Sequence, residues 1–304
     1  MLMPPFTLHH PTSVEQACEI AQQLMEDDQQ FDWVAGGTDL IPNYKWHINT
    51  KPHVISLAKI EGVNTISATE IGCMARLSDL TEANGAHPLI AEASSKVASS
   101  LIRKNATLGG NLCLDTRCFW YKCHKADCGT GADCRVISNQ NTLCVATYQG
   151  DLAPSLMVLE GIIHIVGPSG ERQVPIRDFY QLDGKKKNIL EAGEFLLKVT
   201  LPKESKQRIG CYQKLRVRNS WDWIAGDEKS LLIASTALES IPKMHDEQVS
   251  EALLEGWNGA ESVKSLSMAI QKSIKPVNNT TLTPRYRKKM VRVLTKRAIE
   301  GFLQ

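Results

Sequence analysis

The first 57 residues combine one helix-period pattern with two short apolar runs. Thr12 and Ser13 each precede a Glu or Gln by three positions, which predicts a capped helix start. Apolar residues then recur on one helix face, at Val14, Ala17, Ile20, Ala21 and Leu24. Apolar runs over 31–35 and 54–57 predict two strands, with a helix start near Leu40 between them. This pattern predicts a small βα-type unit that ends near residue 57.

Residues 58–176 predict a second unit of mixed helices and strands. The segment Pro88–Leu101 predicts a helix, because its apolar residues repeat at helical spacing. Asp151 ahead of Pro154 predicts a capping carboxylate followed by a proline in the first helical turn. The segments Ile162–Val166 and Arg172–Ile176 flank a Pro-Ser-Gly turn and predict a β-hairpin over 162–176.

Residues 177–304 change in character, with strand patterns first and helix patterns afterwards. The predicted strands are Leu196–Leu201, Cys211–Val217 and Ser230–Leu238, and the predicted helices are Val249–Glu255, Ala260–Lys272 and Tyr286–Phe302. The last helix is rich in basic residues, including Arg287, which are predicted to form a solvated face.

Composition excludes several function classes. The chain is 42% hydrophobic and 22% charged, as is ordinary for a globular protein. A formal net charge of +2 gives no reason to expect nucleic acid or an anionic membrane as partner. No apolar stretch approaches the roughly 20 residues that span a bilayer. The first residues lack the pattern of a signal peptide, so we expect a cytoplasmic protein.

Two Gly-Gly turns are candidate phosphate sites. They are Ala35–Asp39, which follows an apolar run, and Thr107–Asn111. Consecutive glycines let backbone N–H groups converge on an oxyanion. Neither turn matches G-x-G-x-x-G or a Walker A loop, so the spacing excludes those two fingerprints and leaves an ordinary structural turn as the alternative.

Five of the nine cysteines crowd into one loop, at Cys118, Cys123, Cys128, Cys134 and Cys144. In a reducing compartment, such a cluster indicates a metal site rather than disulfides. The spacing leaves a [4Fe-4S] cluster, a structural zinc or a loop without metal open. Cys18, Cys73 and Cys211 are predicted to be small core residues, and Cys113 could belong to either group.

Three motifs carry a family resemblance. VAGGTDLI (34–41), ATLGGNLC (106–113) and GDLAP (150–154) resemble the FAD-binding motifs of the medium subunit of xanthine oxidase-type molybdenum hydroxylases. The resemblance covers nearly the whole chain. NLCLDTRC (111–118), followed by further cysteines, is similar to the β subunits of 4-hydroxybenzoyl-CoA reductases, which carry an additional [4Fe-4S] cluster in this loop.

The resemblance implies an α+β fold: a two-lobed FAD-binding domain of the vanillyl-alcohol-oxidase (PCMH) type, then a smaller α/β C-terminal domain. Lobe 1 would be 1–57, lobe 2 would be 58–176 with an iron–sulfur loop over 113–146, and the C-terminal domain would be 177–304. The implied function is electron relay, with FAD and a [4Fe-4S] cluster on this chain. Molybdopterin would sit on a large partner subunit and two [2Fe-2S] clusters on a small one, in a dimer of heterotrimers with an external electron donor or acceptor.

The resemblance also implies roles for individual residues. FAD phosphates would bind Val34, Ala35, Gly36, Gly37, Thr38, Asp39, Leu40 and Ile41 in one turn, and Thr107, Leu108, Gly109, Gly110 and Asn111 in the other. The flavin nucleotide or ring would contact Val97, Asp151, Leu196 and Lys214. The cluster ligands would be Cys118, Cys123, Cys134 and Cys144, with Cys128 as a rival for the second position. No catalytic side chain is expected, because the flavin itself carries the redox chemistry.

Three alternatives remain at this point. The chain could be the FAD subunit of an aldehyde- or purine-oxidising molybdoenzyme, or a self-sufficient flavin oxidase. The third alternative is a zinc-binding interaction protein, which would leave both glycine turns unexplained.

Overall fold

The computed structural model describes residues 3–82, 85–123, 134–137, 143–215, 231–254 and 256–302. The strands in these ranges are β1 Thr7–His9, β2 Phe31–Val34, β3 His53–Ser56, β4 Glu70–Gly72, β5 Ile162–Gly167, β6 Gly170–Pro175, β7 Phe195–Thr200, β8 Ala234–Ser235 and β9 Lys243–Met244. The helices are α1 Val14–Glu26, α2 Leu40–Lys45, α3 Leu77–Thr81, α4 Pro88–Ser95, α5 Ser100–Arg103, α6 Leu108–Leu112, α7 Phe119–Cys123, α8 Ala153–Val158, α9 Ile176–Phe179, α10 Asp246–Leu254, α11 Gly259–Ser273 and α12 Pro284–Phe302.

The first lobe is a parallel three-stranded sheet, in the order β1-β3-β2, with α1 packed against it. The predicted capped helix start is confirmed. The Ser13 hydroxyl accepts a hydrogen bond from the Gln16 N–H at 3.2 Å, and the Gln16 side-chain oxygen accepts one from the Thr12 N–H at 2.7 Å. Ala21 and Leu24 of this helix are buried against Ile55, so the predicted apolar face does form a core.

The second lobe is built on a four-stranded antiparallel sheet, in the order β4-β7-β5-β6. The predicted hairpin is confirmed as β5 and β6, which pair from Ile162–Pro175 to Gly167–Gly170. Strand β7 lies beyond residue 176 in the sequence and yet pairs with both β4 and β5. The two predicted domain boundaries, after residues 57 and 176, stay predictions.

The single helix expected over Pro88–Leu101 is wrong, because two helices occupy that segment. Helix α4 ends at Ser95, and α5 begins at Ser100. Between them, Ala98 adopts a left-handed backbone with φ +39°. The Arg103 guanidinium donates hydrogen bonds to the carbonyls of Val97 and Ala98, at 2.7 and 3.2 Å, and thereby satisfies the groups that the break exposes. The resulting corner faces a cavity described below.

The C-terminal part of the chain is mainly helical. Helices α10, α11 and α12 bury a core that includes Ile233, Val263, Leu266 and Leu294. The strand expected over Ser230–Leu238 shortens to β8, which pairs only with β9 among the described residues. Its flanking apolar side chains pack against helices instead of extending a sheet. Residues 211–215 form no strand, and the rest of the strand predicted there lies outside the described residues.

The prediction of a solvated basic face on α12 is wrong at Arg287. Its side chain is only 2% exposed. The guanidinium donates hydrogen bonds to the carbonyls of Ala237 at 3.3 Å, Leu238 at 3.4 Å and Val277. A guanidinium has five donors, so one side chain can hold several carbonyls that lie outside regular structure. Arg287 therefore anchors α12 to the loop that precedes β9.

Across the described ranges, no helix is both long and apolar enough to cross a membrane.

Arg287→Met should destabilise the protein strongly. It keeps the length of the buried stem but leaves carbonyls without their charged donor. Hydrogen bonds from a charged group contribute about 1.5–3 kcal/mol each, so the free energy of unfolding should fall by roughly 2–4 kcal/mol. Chemical denaturation followed by circular dichroism measures it. The matched control is Arg285→Met on the exposed side of α12, for which a change within about 0.5 kcal/mol is expected.

Candidate functional site

The two glycine turns lie against each other. A Cβ atom at Gly36 would lie 1.7 Å from the carbonyl oxygen of Asn105, two residues before the second turn. A Cβ atom at Gly110 would lie 3.9 Å from Cβ of Ala35. Since real Cβ atoms do not approach a backbone oxygen so closely, the first of these contacts requires glycine. The turns come from separate lobes, and their contact builds one composite surface.

Local sequence explains how each turn is held. Gly37 has φ +68°, a conformation that favours glycine, and it leads into α2. Thr107 caps α6, where its hydroxyl accepts a hydrogen bond from the Gly110 N–H at 3.1 Å. The Asn111 side chain accepts one from the Leu152 N–H at 2.9 Å, which ties the second turn to the segment around Asp151.

A first cavity of about 380 Å³ opens on one side of the turns. Residues of both glycine turns line this cavity, together with the apolar side chains of Trp33, Leu57, Leu190 and Phe195. The predicted residues that reach this cavity are Ala35, Gly36, Gly37, Thr38, Asp39, Leu40, Thr107, Gly109, Gly110 and Leu196. Three predicted residues line neither this cavity nor the second one on the other side of the turns: Val34 and Ile41 flank Gly37, and Leu108 is buried in the core.

A second cavity of about 240 Å³ lies on the other side of the turns. Thr38, Asp39, Gly110 and Leu114 border both cavities, so the turns form the partition between them. The predicted residues Val97, Asn111, Asp151 and Lys214 line the second cavity. The break between α4 and α5 is what brings Val97 and Ala98 to this wall.

An ion pair sits in the second cavity. The Lys214 ammonium lies 3.1 Å from each carboxylate oxygen of Asp151, and it also donates to the Lys96 carbonyl at 2.9 Å. The Lys214 and Asp151 side chains are only 2% and 14% exposed. Asp151 therefore does not cap α8 as predicted, because its carboxylate binds Lys214 and the helix begins without a side-chain cap. The predicted proline in the first turn of α8 is confirmed.

Gln149 is a residue of this cavity that sequence reasoning missed. Its side-chain nitrogen is buried and has no hydrogen-bond partner among the described residues. A buried amide donor without a partner is costly, which indicates that an acceptor belongs in the cavity. Arg117 was missed as well, and it lines the same cavity. The sequence signal that could have identified these two residues is their position. Gln149 directly precedes Gly150, and Arg117 directly precedes Cys118.

Two thiols line the first cavity. Burial raises the pKa of Cys73 to about 12 and the pKa of Cys113 to about 11. Both thiols are therefore protonated at neutral pH, and neither is primed as a nucleophile. Cys73 is a core residue as predicted, and Cys113, for which the sequence left two possibilities, lies beside the glycine turns.

A third cavity, of about 460 Å³, contains the described members of the cysteine loop. Cys118, Cys134 and Cys144 all line it. Backbone hydrogen bonds hold the segments around this cavity. Arg117 and Thr147 exchange two backbone hydrogen bonds of 2.7 Å, and the Gly184 N–H donates to the Cys144 carbonyl at 2.7 Å. The side chain of Cys123 and all of Cys128 lie outside the described residues.

The spacing of these thiols bears on the kind of metal they could hold. Within the described residues, no three potential ligands lie close enough together for a single metal ion. A zinc–sulfur bond of about 2.3 Å sets thiolates about 3.8 Å apart in a tetrahedron. An iron–sulfur cluster has iron atoms at separate corners and takes more widely spaced ligands. The three described thiols thus line one cavity without forming a single-ion site among the described residues.

The cysteine cavity adjoins the first cavity. Asn49 and Asp115 line both. Lys187, which lines the first cavity, lies with its ammonium 3.5 Å from the Asp115 carboxylate. Asn43 of α2 donates to the same carboxylate at 3.3 Å. One polar wall thus separates the two spaces.

Comparison with known proteins identifies the family. The model of the FAD-binding domain in molybdopterin dehydrogenase matches residues 4–204. This chain belongs to that family. The family recognition made from the sequence is thereby confirmed.

The individual relatives of this chain share only a moderate sequence identity with it. The FAD-binding subunit PaoB of an aldehyde oxidoreductase from Escherichia coli K12 is 30% identical over 213 residues, which are 62% of this chain and 66% of that protein. The chain thus spans slightly less than two thirds of that relative's length. The carbon monoxide dehydrogenase medium chain from Afipia carboxidovorans is 25% identical over 323 residues, 99% of this chain and 97% of that one. The relatives are oxidoreductase subunits, which agrees with the enzyme class expected from the sequence.

Solved structures establish the fold. Carbon monoxide dehydrogenase from Hydrogenophaga pseudoflava has a chain that matches with a TM-score of 0.77 at 22% identity, over 99% of this chain and 98% of that one. Quinoline 2-oxidoreductase from Pseudomonas putida 86 matches with a TM-score of 0.78 at 17% identity and the same coverage. The α+β FAD-binding fold expected from the sequence is confirmed.

The cavities of this FAD-binding domain fit the cofactor. A dinucleotide has two bulky halves joined by a diphosphate, and the site has two cavities joined by two glycine turns. The turns offer backbone N–H groups for oxyanions. In the second cavity, the Gln149 side-chain nitrogen has no partner within the described ranges, and the Lys214 ammonium lines the same wall. Both groups are donors for the polar atoms of a flavin or adenine ring. The donors present thus match the chemistry that FAD requires.

Gly37→Asp should produce protein that folds but purifies with little FAD. The new carboxylate would face the diphosphate, and two like charges at short range should weaken FAD binding by at least about tenfold. The matched control is Gly62→Asp. Gly62 also has a left-handed backbone, φ +77°, but a Cβ atom there would meet no atom within 4 Å. Both variants carry similar backbone strain. Equal FAD content per folded chain in the two would contradict the phosphate-turn assignment.

Proposed function

We propose that this chain is the FAD- and [4Fe-4S]-containing electron-transfer subunit of a molybdenum hydroxylase or reductase of the xanthine oxidase family, similar to the β subunit of 4-hydroxybenzoyl-CoA reductase. The observation that carries the proposal is the shared wall: the cavity with three cysteines adjoins the first of the two cavities around the glycine turns, through Asn49 and Asp115. Two redox groups held in such neighbouring sites suit electron transfer.

The FAD would be held by the residues already described. Ala35–Asp39 and Thr107–Asn111 would bind the diphosphate, and Leu196 would contribute to the apolar wall of the first cavity. In the second cavity, Val97 would supply an apolar contact, while Asp151 orients Lys214 by a bond to each of its carboxylate oxygens. When bound, FAD accepts and releases electrons one or two at a time, and the protein sets its potential through nearby charges and hydrogen bonds.

The iron–sulfur cluster would be held by Cys118, Cys123, Cys134 and Cys144. Three of these thiols line one cavity, and the fourth belongs to the short helix α7 that begins directly after Cys118. Cys118 is only 7% exposed, which suits a cluster shielded from water. Burial and hydrogen bonds to sulfur are the means by which a protein tunes the potential of such a cluster.

The organic substrate would react on a partner. The expected complex contains a large molybdopterin-binding subunit, a small subunit with two [2Fe-2S] clusters and this chain, arranged as a dimer of heterotrimers. This chain would relay electrons between those clusters and an external donor or acceptor. A cytoplasmic location remains part of the proposal. No nucleophile–base pair is required of this chain, since its chemistry is that of its cofactors.

A second candidate concerns the substrate of the whole complex. The 30% identity to an aldehyde oxidoreductase subunit favours an aldehyde-oxidising molybdoenzyme as that candidate. It assigns the same cofactors to this chain and differs only in the partner's reaction. The zinc-binding interaction protein is less consistent with the site, because it leaves the two cavities around the glycine turns without a purpose.

Metal analysis tests the cluster. The purified complex should contain about four more iron atoms per copy of this chain than the two [2Fe-2S] clusters supply, and no zinc bound to this chain. Cys123→Ser should abolish the additional iron, while the neighbouring variant Cys128→Ser should retain it. One zinc and no additional iron would overturn the cluster. The reverse behaviour of the two serine variants would move the second ligand to Cys128.

Affinity purification tests the subunit assignment. An affinity tag on this chain, expressed in its native host, should recover a large molybdenum-containing protein and a small iron–sulfur protein in equal amounts. The chain expressed alone should aggregate or lose its cluster, because its partner surfaces are then left exposed to water. Size-exclusion chromatography of both samples measures this difference. A monodisperse monomer carrying both FAD and iron would contradict the assignment.

A further inference from the structure

The phosphate-binding turn contains an acidic residue whose charge opposes its proposed task. Asp39 is the fifth residue of the first glycine turn and borders both nucleotide cavities. Its side chain is 17% exposed. A carboxylate at this place should repel a diphosphate, and partial burial strengthens that repulsion because water screens it less. Some other group must therefore neutralise Asp39.

The neutralising groups come from the segment that leads into the cysteine loop. The Arg117 guanidinium lies 2.6 Å from one carboxylate oxygen of Asp39. The backbone N–H of Asp115 donates to the other oxygen at 3.1 Å. Both oxygens are thus bound by donors from residues 115–117, which lie 76 and 78 positions away in the sequence.

The backbone holds Arg117 in place. Arg117 and Thr147 exchange two hydrogen bonds of 2.7 Å, so the segment is extended and paired at that point. Successive side chains of an extended segment point in opposite directions. Arg117 accordingly lines the second nucleotide cavity, whereas Thr116 and Cys118 line the cysteine cavity.

We propose that Arg117 is a positioning residue for FAD: it neutralises and orients Asp39, so that the first cysteine segment completes the phosphate-binding turn. The inference rests on the proposed FAD site and goes beyond it by adding a residue outside the glycine motifs. It also explains how an acidic side chain is compatible with a diphosphate. Compensation of the Asp39 charge has a second consequence, because an uncompensated negative charge beside the cavity would disfavour the electron-rich, reduced form of a bound flavin.

The test is FAD affinity of the full-length chain in its complex, measured by titrating flavin-depleted protein and following flavin fluorescence. Arg117→Gln should raise the Kd for FAD by roughly tenfold or more, since it leaves the Asp39 charge uncompensated. Adding Asp39→Asn to that variant should restore most of the affinity. Arg117→Lys, which keeps the charge, should lie close to the wild type.

The matched control is Arg177→Gln. Arg177 also forms an ion pair of 2.7 Å, with Asp246, and its side chain is 35% exposed against 34% for Arg117. This pair lies away from the three cavities, so the Kd for FAD should not change. A second readout is the midpoint potential of the bound flavin, which Arg117→Gln should lower and Arg117→Lys should preserve. A merely structural role would not separate these two variants.

The outcomes distinguish the two levels of the inference. Absence of FAD from the wild-type complex would refute the proposed function itself. FAD in the wild type with an unchanged Kd and potential in Arg117→Gln would overturn only the role of Arg117. If Arg117→Gln is insoluble, Asp39→Asn alone decides: it should bind FAD more tightly than the wild type, and weaker binding would overturn the inference.

Discussion

The contact between Gly36 and the Asn105 carbonyl is the constraint on which the site depends. The first lobe supplies one glycine turn at the end of β2, and the second lobe supplies the other at the start of α6. A side chain at Gly36 would fill the space that the Asn105 carbonyl occupies. Without that close approach, the two glycine turns would not form the shared border of the two cavities, on which the proposed dinucleotide site depends. Glycine at position 36 is therefore required for the contact between the two lobes as well as for ligand binding.

A second set of contacts joins this junction to the cysteine loop. Asp39 binds residues 115 and 117, and the Asp115 carboxylate is in turn held by Asn43 and Lys187. These bonds connect α2, the segment before Cys118 and the stretch around residue 187. The nucleotide site and the cysteine cavity are therefore parts of one bonded structure rather than independent modules. These bonds fix the position of the cysteine cavity relative to the glycine turns.

Local patterns in the sequence predicted local structure well. The capped helix α1, the hairpin of β5 and β6 and both glycine turns depend on residues close together in the chain, so short windows contain the information. Asp151 shows where this reasoning fails. Beside Pro154 it resembles a helix cap, but Lys214, 63 residues away, binds its carboxylate instead. The prediction for Arg287 fails for the same reason. The basic pattern of α12 predicted contact with solvent, but the Arg287 side chain is buried because it binds carbonyls of loops outside its own helix.

The broken helix near Val97 is the most informative of these differences. Apolar periodicity continues through Leu101, and nothing in the 3.6-residue pattern marks a break. The break forms because Arg103 satisfies the carbonyls of Val97 and Ala98, which a straight helix would have satisfied internally. The backbone thereby adopts a positive φ at Ala98, an uncommon conformation for a residue with a side chain. Such strain persists where the surrounding structure requires it. Here it places Val97 on the wall of the second cavity, which the Lys214–Asp151 pair also lines, so a departure from the local rule shapes the proposed flavin site.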